Sequence, residues 1–312
     1  MKVTLIHNPD AGDTDQPSGD EILSLIRSAG HSAVYQSSKE PGWEKALEEA
    51  TDIAAVAGGD GTVGKVAKRL IGKHTPIAVL PLGTANNIAT ALNLTDPPIE
   101  HLIAGWTTAR RMKYDVGNAS GPWGSTCFIE GLGVGLFADT MSRLNAKSNF
   151  PIAHLDDTSE KIMWVLEMIR NRLEKSPANW LNVTLDGQDL SGEYVLLEAM
   201  NIRCVGPNLC LAPDAHPGDG LLDIVVASKH EQDQIDRYLS DRIEGKSTSP
   251  GLTVRKGRNV RIEFKEVPVH IDDDLWPDEG WPLPASTTIE IKLDCECLQM
   301  LMPAGSEEEH FR

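Results

Sequence analysis

The sequence predicts two domains: an α/β domain with a mostly parallel sheet, then a largely antiparallel β domain. Its 312 residues exceed the roughly 100–200 of one typical domain. In the first third, short apolar runs alternate with segments whose apolar residues recur at helical spacing, which is typical of a parallel sheet covered by helices. After residue 113, strand-like runs follow one another, with Asp186-Gly187 and Ser191-Gly192 between them as in hairpin turns.

Four strands and four helices alternate in the predicted first domain. The strand at 53–57 is wholly apolar and is bounded by Asp52 and Gly58, which predicts a buried central strand. The helix at 62–71 carries Val63, Val66 and Leu70 on one face. The predicted strands are 3–6, 33–35, 53–57 and 76–80, and the predicted helices are 20–29, 41–50, 62–71 and 84–92.

The predicted second domain consists of strands interrupted by one strong helix. That helix covers 158–174, begins with a capping pattern at Asp157 and Glu160, and carries an apolar stripe that we assign to the core. The predicted strands are 125–129, 181–185, 194–198, 222–227, 252–254, 260–264, 267–271 and 288–293.

Composition and charge exclude several classes of protein. There are 29 Lys and Arg against 46 Asp and Glu, a net charge of −17, so non-specific binding to nucleic acid or to anionic bilayers is unfavourable. No apolar run approaches the length of a membrane span, and the N-terminus does not resemble a signal peptide. The five cysteines contain no CxxC pair. We therefore expect a cytoplasmic protein with reduced thiols.

A glycine-rich loop, GGDGT at 58–62, lies where the buried strand meets a helix. Glycines allow backbone N–H groups to converge on an anion, and the start of a helix adds partial positive charge. This combination is typical of a phosphate-binding site, although a tight turn without a ligand remains an alternative reading.

Two familiar nucleotide motifs match this loop incompletely. Gly59, Gly61 and Gly64 have the dinucleotide-binding spacing, but no acidic residue follows before Asp96. Gly64-Lys65 nearly completes a phosphate-binding P-loop, but Val66 stands where Ser or Thr would bind magnesium. Both motifs are weak here.

The charge near the loop favours a polyphosphate ligand. Residues 61–95 contain no acidic side chain although the chain as a whole is strongly acidic. The same window contains four basic residues, part of which form the solvated face of a helix: Lys65, Lys68, Arg69 and Lys73.

A second loop, PLGTANN at 81–87, follows the next predicted strand. Gly83 is placed at the turn, and Thr84 is the predicted N-cap of the helix that follows. Because parallel strands end at one edge of a sheet, both loops should lie along that edge.

These motifs, in this order, resemble the diacylglycerol-kinase-type lipid kinases, a family that includes bacterial diacylglycerol kinases and the sphingosine and ceramide kinases. The resemblance begins with HNPDAG at 7–12 and continues through both glycine loops. It extends over nearly the whole chain through KYDVG at 113–117, FIEGLGVG at 128–135, APDA at 212–215 and DGLLD at 219–223.

The resemblance implies an ATP- and Mg²⁺-dependent kinase that phosphorylates a hydroxyl of a lipid or lipid-like acceptor. It implies an ATP-binding domain at 1–117 plus about 299–312, and a β-sandwich acceptor domain at 118–298, with a cleft between the two domains. Ser38 is the loosest of the implied ATP contacts. These contacts are Asn8, Pro9, Ala11, Gly12, Ser38, Gly58, Gly59, Asp60, Gly61, Thr62, Val63 and Thr84.

The resemblance also implies positions for metal ions. Asp60 would organise catalytic Mg²⁺ through water, with Asp115 as a second acidic residue near the metal. A structural Mg²⁺ would be bound by His216, Asp219 and Leu221, partly through backbone carbonyls. A plain hairpin turn at Asp219-Gly220 is the alternative.

The late strand carries the main departure from the family. Asp272 aligns with the Asp of the family's Asp-Gly-Glu motif, which acts as the base, and Asp274 replaces the Glu. Asp273 stands in place of the Gly and lacks its freedom at positive φ.

Three functions therefore remain open. The first is the lipid kinase, with Asp272, Asp60 and Asp274 as catalytic residues, ATP and Mg²⁺ as cofactors, and a lipid or lipid-like alcohol as partner. The second is an NAD kinase-like phosphotransferase, which shares the GGDGT motif, and the third is an inactive nucleotide-binding regulatory module. We expect no nucleic-acid partner and at most transient membrane contact, and we leave a homodimer open.

Overall fold

The computed structural model describes residues 1–145, 157–278 and 281–303. It divides into two compact units. The first comprises Met1–Asp115 and Cys295–Arg312, and the second comprises Val116–Asp294. The last nine residues of the first unit, 304–312, lie outside the described residues.

The first unit contains the predicted α/β alternation around a parallel sheet. The strand β1 pairs in parallel with β2 and β3, and β3 pairs in parallel with β4. The elements are β1 Lys2–His7, α1 Gly19–Ser28, β2 Ser32–Ser37, β3 Ile53–Gly58, α2 Asp60–Leu70, β4 Ile77–Pro81, α3 Asn87–Ala91 and α4 Ile99–Ala104, with 3₁₀ helices at Trp43–Leu47 and Gly105–Thr108.

Two predicted helices of this unit are shorter than expected. The helix predicted at 41–50 is the 3₁₀ turn Trp43–Leu47. The helix predicted at 84–92 is α3, which has only five residues and begins after Asn86, so Thr84 is not its N-cap. By contrast, α1 begins with a complete capping box between Ser18 and Glu21.

The chain passes from one unit to the other within two long strands. They are β5 (Arg110–Gly121) and the last strand, Thr287–Met302. Within the first unit, Met300 of the last strand pairs in parallel with Ile77 of β4. The end of the chain therefore extends the parallel sheet beside β4.

The second unit is a β-sandwich with helices on one outer face. Its remaining strands are β6 Gly124–Phe128, β7 Gly131–Gly135, β8 Asn179–Leu185, β9 Gln188–Asp189, β10 Gly192–Tyr194, β11 Leu196–Met200, β12 Cys204–Val205, β13 Leu209–Cys210, β14 Leu222–Ala227, β15 Thr253–Gly257, β16 Asn259–Phe264, β17 Val269–Ile271, β18 Asp274–Trp276 and β19, the last strand. Its helices are α5 Leu136–Asn145, α6 Thr158–Leu173 and α7 Gln232–Ile243.

The two sheets of this unit enclose an apolar core. One sheet has the order β15-β14-β11-β7-β17-β18, and the other contains β10, β8, β16 and β19 in neighbouring positions. Side chains such as Phe128, Leu197 and Ile262 fill the layer between them and are fully buried. A second apolar cluster lies on the other face of the six-stranded sheet, and α5, α6 and α7 contribute to it.

Cys204 and Cys210 correct one expectation from the sequence. They face each other across β12 and β13 and form a disulfide. The expectation of reduced thiols is wrong for this pair, because the six-residue separation closes a hairpin that places the two side chains opposite each other.

None of the described helices combines the length and the hydropathy needed to cross a membrane.

Candidate functional site

Three loops meet at the carboxyl edge of the parallel sheet in the first unit. They follow β1, β3 and β4, and they approach so closely that only glycine fits at the contacts. A Cβ on Gly12, whose φ is +73°, would overlap the carbonyl oxygen of Leu82. A Cβ on Gly59 would lie 3.0 Å from Cα of Gly83, and a Cβ on Gly83 would overlap Gly59. The predicted proximity of the two glycine loops is therefore present.

Asp60 ties two of these loops together. Its Oδ2 accepts a hydrogen bond from the N–H of Asn87 at 2.8 Å, and its Oδ1 accepts one from Ile88 at 2.9 Å. The carboxylate thus caps the start of α3 from 27 residues away, although it belongs to the first turn of α2. This contact explains why α3 needs no N-cap side chain of its own.

Asn86 shapes the same turn. Its Oδ1 accepts from the N–H of Gly83 at 2.9 Å, while its Nδ2 donates to the Gly83 carbonyl at 2.7 Å. Asn86 itself has φ +54°, a conformation that asparagine tolerates better than most residues. The half-buried Thr84 lies inside this clamped turn.

Other predicted nucleotide contacts lie on or beside these loops. The N–H of Asn8 donates to Ala57 at 2.9 Å, and its amide reaches Thr62 Oγ1 at 3.3 Å. The N–H of Ser38 donates to His7 at 2.8 Å, which places Ser38 beside the end of β1. Pro9 and Ala11 lie in the turn after β1, Gly58 ends β3, and Gly61 is exposed in α2.

The first turn of α2 contributes partial positive charge beside the loops. Thr62 and Val63 both donate their N–H groups to Gly59, so these two donors are used within the helix start. The helix start still carries partial positive charge directed at the loop. Arg69 is exposed and pairs with Glu44 at 3.3 Å, so this cation belongs to the solvated face of α2.

Asp272 occupies a turn between β17 and β18 in the second unit. Its φ is +49°, an uncommon conformation for a residue other than glycine. Its Oδ1 accepts N–H hydrogen bonds from Glu130 at 2.9 Å, Ile129 at 3.1 Å and Gly131 at 3.4 Å, and its Oδ2 accepts from Ile129 at 3.3 Å. Backbone amides therefore hold the carboxylate, and they donate more hydrogen bonds to Oδ1 than to Oδ2.

The neighbours of Asp272 clarify the departure from Asp-Gly-Glu. The positive φ of this turn falls on Asp272, and Asp273 is not among the described residues with positive φ. Glycine's conformational freedom is therefore not needed at Asp273. Asp274 begins β18, pairs with Ile271 and is exposed.

A pocket of the second unit opens beside Asp272. Its empty volume, including the mouth, is about 570 Å³. Asp272 and His270 lie on its wall, whereas α5, α6 and the β12–β13 hairpin supply most of its apolar lining. Those three elements contribute Phe137, Thr140, Met141, Leu144, Val165, Ile169, Val205, Gly206 and Pro207. Part of the stripe on α6 that we assigned to the core thus lines a pocket.

A buried ionisable pair lies next to this pocket. His270 Nε2 is 2.8 Å from Glu198 Oε2, and both side chains are at most 1% exposed. Burial disfavours the imidazolium, but the Glu198 carboxylate and its hydrogen bond outweigh that cost, so the pKa of His270 is raised. Sequence reasoning missed the pair, although a single Glu within the apolar strand LLEAM was a signal.

The residues predicted to bind a structural Mg²⁺ lie beside a positively charged side chain, that of Lys256. Asp219 Oδ1 accepts the N–H of Leu221 at 2.9 Å, and its Oδ2 is 3.2 Å from Lys256 Nζ. Lys256 also lies 3.6 Å from the buried Asp223. The N–H groups of residues 218 and 219 both donate to the carbonyl of His216. Lys256 therefore already compensates part of the negative charge at this site, and a divalent ion there stays a prediction.

Asp115 is buried in β5, at 1% exposure. The described residues contain no group of three or more His, Cys, Asp or Glu side chains that could hold a metal. Each Asp60 oxygen accepts one backbone hydrogen bond, and Mg²⁺ bound through water at Asp60 stays a prediction.

Comparison with known proteins adds independent information. The family model for the diacylglycerol kinase catalytic domain matches residues 2–119, and the model for the YegS C-terminal NAD kinase beta sandwich-like domain matches residues 144–290. A diacylglycerol kinase of Mycobacterium tuberculosis is 27% identical over 268 residues, which covers 83% of this chain and 79% of the relative. One from Staphylococcus carnosus is 23% identical and covers 91% of each chain.

Solved structures share the fold. A diacylglycerol kinase from Bacillus anthracis has a TM-score of 0.71, 22% identity and 98% coverage of both chains. Yeast NADH kinase, solved with NADH, has a TM-score of 0.53 and 10% identity, and the match covers 99% of this chain and 84% of that one. The two matching models show that the chain combines a diacylglycerol kinase catalytic domain with a YegS C-terminal NAD kinase beta sandwich-like domain.

Proposed function

We propose that the protein is an ATP- and Mg²⁺-dependent kinase that phosphorylates a hydroxyl of a lipid or lipid-like acceptor. The observation that carries this proposal is the carboxylate of Asp272, held by backbone amides on the wall of an otherwise mostly apolar pocket. Diacylglycerol is the first acceptor to test, because the curated relatives carry that name.

The geometry of Asp272 suits a general base. Oδ1 is occupied by three N–H groups, whereas Oδ2 accepts one long hydrogen bond from Ile129. A carboxylate oxygen on the pocket wall can accept the proton of a hydroxyl bound there. As the acceptor oxygen bonds to the terminal phosphorus of ATP, its proton passes to Asp272 and ADP leaves.

The three loops of the first unit support nucleotide binding. Glycines at the contacts let backbone approach a phosphate chain without steric hindrance, and the start of α2 favours negative charge. Mg²⁺, when bound, would neutralise phosphate charge, and Asp60 would orient its water ligands. Asp60 would do this while its carboxylate keeps α3 in place.

The pocket supports an apolar acceptor. Its lining is mostly apolar, with a few polar groups at one side, as in sites that bind small molecules. Side chains such as Phe137, Leu144 and Ile169 would bury hydrocarbon, while Asp272 would meet the polar end of the molecule.

The decisive experiment follows phosphate from γ-labelled ATP into a panel of acceptors that contains diacylglycerol, sphingoid bases and other lipid alcohols. We expect one lipid class to be labelled, only with Mg²⁺ present. Asp272→Asn should lower kcat by about 10²–10⁴-fold, the usual contribution of a general base. Asp233→Asn, on the exposed face of α7, is the matched control and should retain activity. A folded protein that labels no lipid would contradict the proposal.

NAD is the second acceptor in the panel, because yeast NADH kinase shares the fold. The apolar lining of the pocket favours a lipid over a dinucleotide. Labelling of NAD alone would replace the lipid kinase with an NAD kinase-like enzyme. Nucleotide binding without transfer to any acceptor would instead indicate a regulatory module.

A further inference from the structure

Glu198 and His270 meet across an intervening strand, which is an unusual arrangement. In the six-stranded sheet, Gly133 of β7 is the direct partner of Glu198 on β11 and of His270 on β17. The two side chains therefore start from strands on opposite sides of β7 and still approach to 2.8 Å.

Gly133 makes this contact possible. A Cβ at this position would overlap the carboxylate of Glu198. The missing side chain leaves the space in which the carboxylate lies over the strand. Gly133 is therefore required by the pair and not by backbone conformation, since its φ is not among the positive values.

The other ring nitrogen of His270 points to the candidate base. Nδ1 is 3.2 Å from the backbone carbonyl oxygen of Asp272. A carbonyl can only accept, so Nδ1 carries a hydrogen. At Nε2, an ionised Glu198 carboxylate would accept a second hydrogen from the ring. The raised pKa of His270 agrees with an imidazolium that donates in both directions, and the distances at both ring nitrogens allow it.

Burial makes this ion pair costly in folding free energy, which suggests that the pair is kept for a role other than stability. Glu198 is fully buried, and within the described chain its Oε1 has no hydrogen-bond partner. Burying an ion pair seldom adds net stability compared with apolar residues of the same volume. The turn that His270 holds is the one in which Asp272 adopts φ +49°, so the pair acts on a strained residue.

We propose that His270, held by Glu198 across Gly133, is a positioning residue that fixes the turn at Asp272 and keeps its carboxylate in the cradle of backbone amides. The inference rests on the proposed function, in which Asp272 is the base. His270 holds the carbonyl side of the turn, and the amides of residues 129–131 hold the carboxylate.

The first test is independent of activity. In NMR spectra of ¹⁵N-labelled protein, we expect one of the nine histidines to have both ring nitrogens protonated at pH 7.5, and His270→Gln identifies it. Glu198→Gln should remove that signature and shift the amide signals of Ile129, Glu130 and Gly131. A neutral ring in the wild type, or unmoved amide signals in Glu198→Gln, would overturn the proposal even if no acceptor is known.

The second test is kinetic and uses the labelled lipid. Glu198→Gln should lower kcat by about 10–100-fold, the usual effect of losing a group that orients a reacting one, with the KM for the acceptor within threefold. Gly133→Ala should have the same effect through steric displacement of the carboxylate. Glu193→Gln, exposed on β10, is the control and should match the wild type. A raised KM with unchanged kcat would refute positioning and indicate direct contact with the acceptor.

A double variant guards against simple loss of folding. Glu198→Gln combined with His270→Gln removes both charges and leaves a neutral amide pair that can still form a hydrogen bond. Circular dichroism and thermal unfolding should show a folded protein, with kcat still reduced. Wild-type kcat in this variant would overturn the proposal. If the wild type labels no lipid, the proposed function fails, while the NMR test still decides the positioning role.

Discussion

Removing the charge of Asp60 should weaken the hydrogen bonds that hold the start of α3 and so lower the stability of the protein. In Asp60→Asn, one oxygen still accepts an N–H, but the new NH₂ group faces the other backbone donor. Because Asp60 now receives hydrogen bonds at 2.8 and 2.9 Å from Asn87 and Ile88, the variant loses one charge-assisted bond. Such a bond contributes about 1.5–3 kcal/mol, and the charge at the helix start adds about 0.3–1 kcal/mol. We expect the free energy of unfolding to fall by about 2–4 kcal/mol.

Two measurements check this value. Urea unfolding of the variant should have its midpoint lowered by about 1 M, for a slope of about 3 kcal/mol/M. Hydrogen exchange, read by mass spectrometry, should show faster exchange in Asn87–Ala91. Asp96→Asn, exposed in the same unit, is the control and should change neither quantity. If Asp60→Asn matched this control to within about 0.5 kcal/mol, the carboxylate would not be the cap of α3, and our account of how the loops are joined would be wrong.

Three further outcomes follow from the second unit. The stability contributed by the Glu198–His270 pair should be fully present below pH 6.5 and should be lost as pH rises through the raised pKa of His270. Urea unfolding at pH 6–9 should show this fall in the free energy of unfolding. In Glu198→Gln the fall should be absent. Val165→Phe should fill part of the pocket and raise the KM for a lipid acceptor at least about tenfold while leaving nucleotide affinity unchanged, as calorimetry and kinetics would show. Lys256→Met should lower stability by about 1–2 kcal/mol because Asp223 loses its cation, and millimolar Mg²⁺ should raise the thermal midpoint of the variant more than that of the wild type.

Local sequence patterns predicted the elements that local forces decide. The alternation of strand and helix, the buried strand β3 and the start of α6 at Asp157 all follow from periodicity and capping. The turn at Asp186 and Gly187 also has positive φ at both residues, as an Asp-Gly hairpin requires.

Contacts between distant parts of the chain account for what the sequence did not predict. Thr84 was the expected cap of α3, but Asp60 supplies the cap from the first turn of α2. The helices α5 and α7 were not predicted, since only the helix at 158–174 was expected in the second unit. The Glu198–His270 pair was also missed, because a glycine gap such as Gly133 acquires meaning only once its neighbouring strands are known. The roles assigned to Asp272, Asp274 and the nucleotide loops stay predictions that the proposed assays would decide.

The pairing of Met300 with Ile77 has a consequence for biosynthesis. The sheet that carries the candidate nucleotide loops begins at residue 2 but receives its partner beside β4 only when residue 300 has left the ribosome. Until then, β4 has an open edge, and a growing chain would expose it throughout translation of the intervening domain. We therefore expect the sheet of the first unit to be completed only after the second unit has been synthesised.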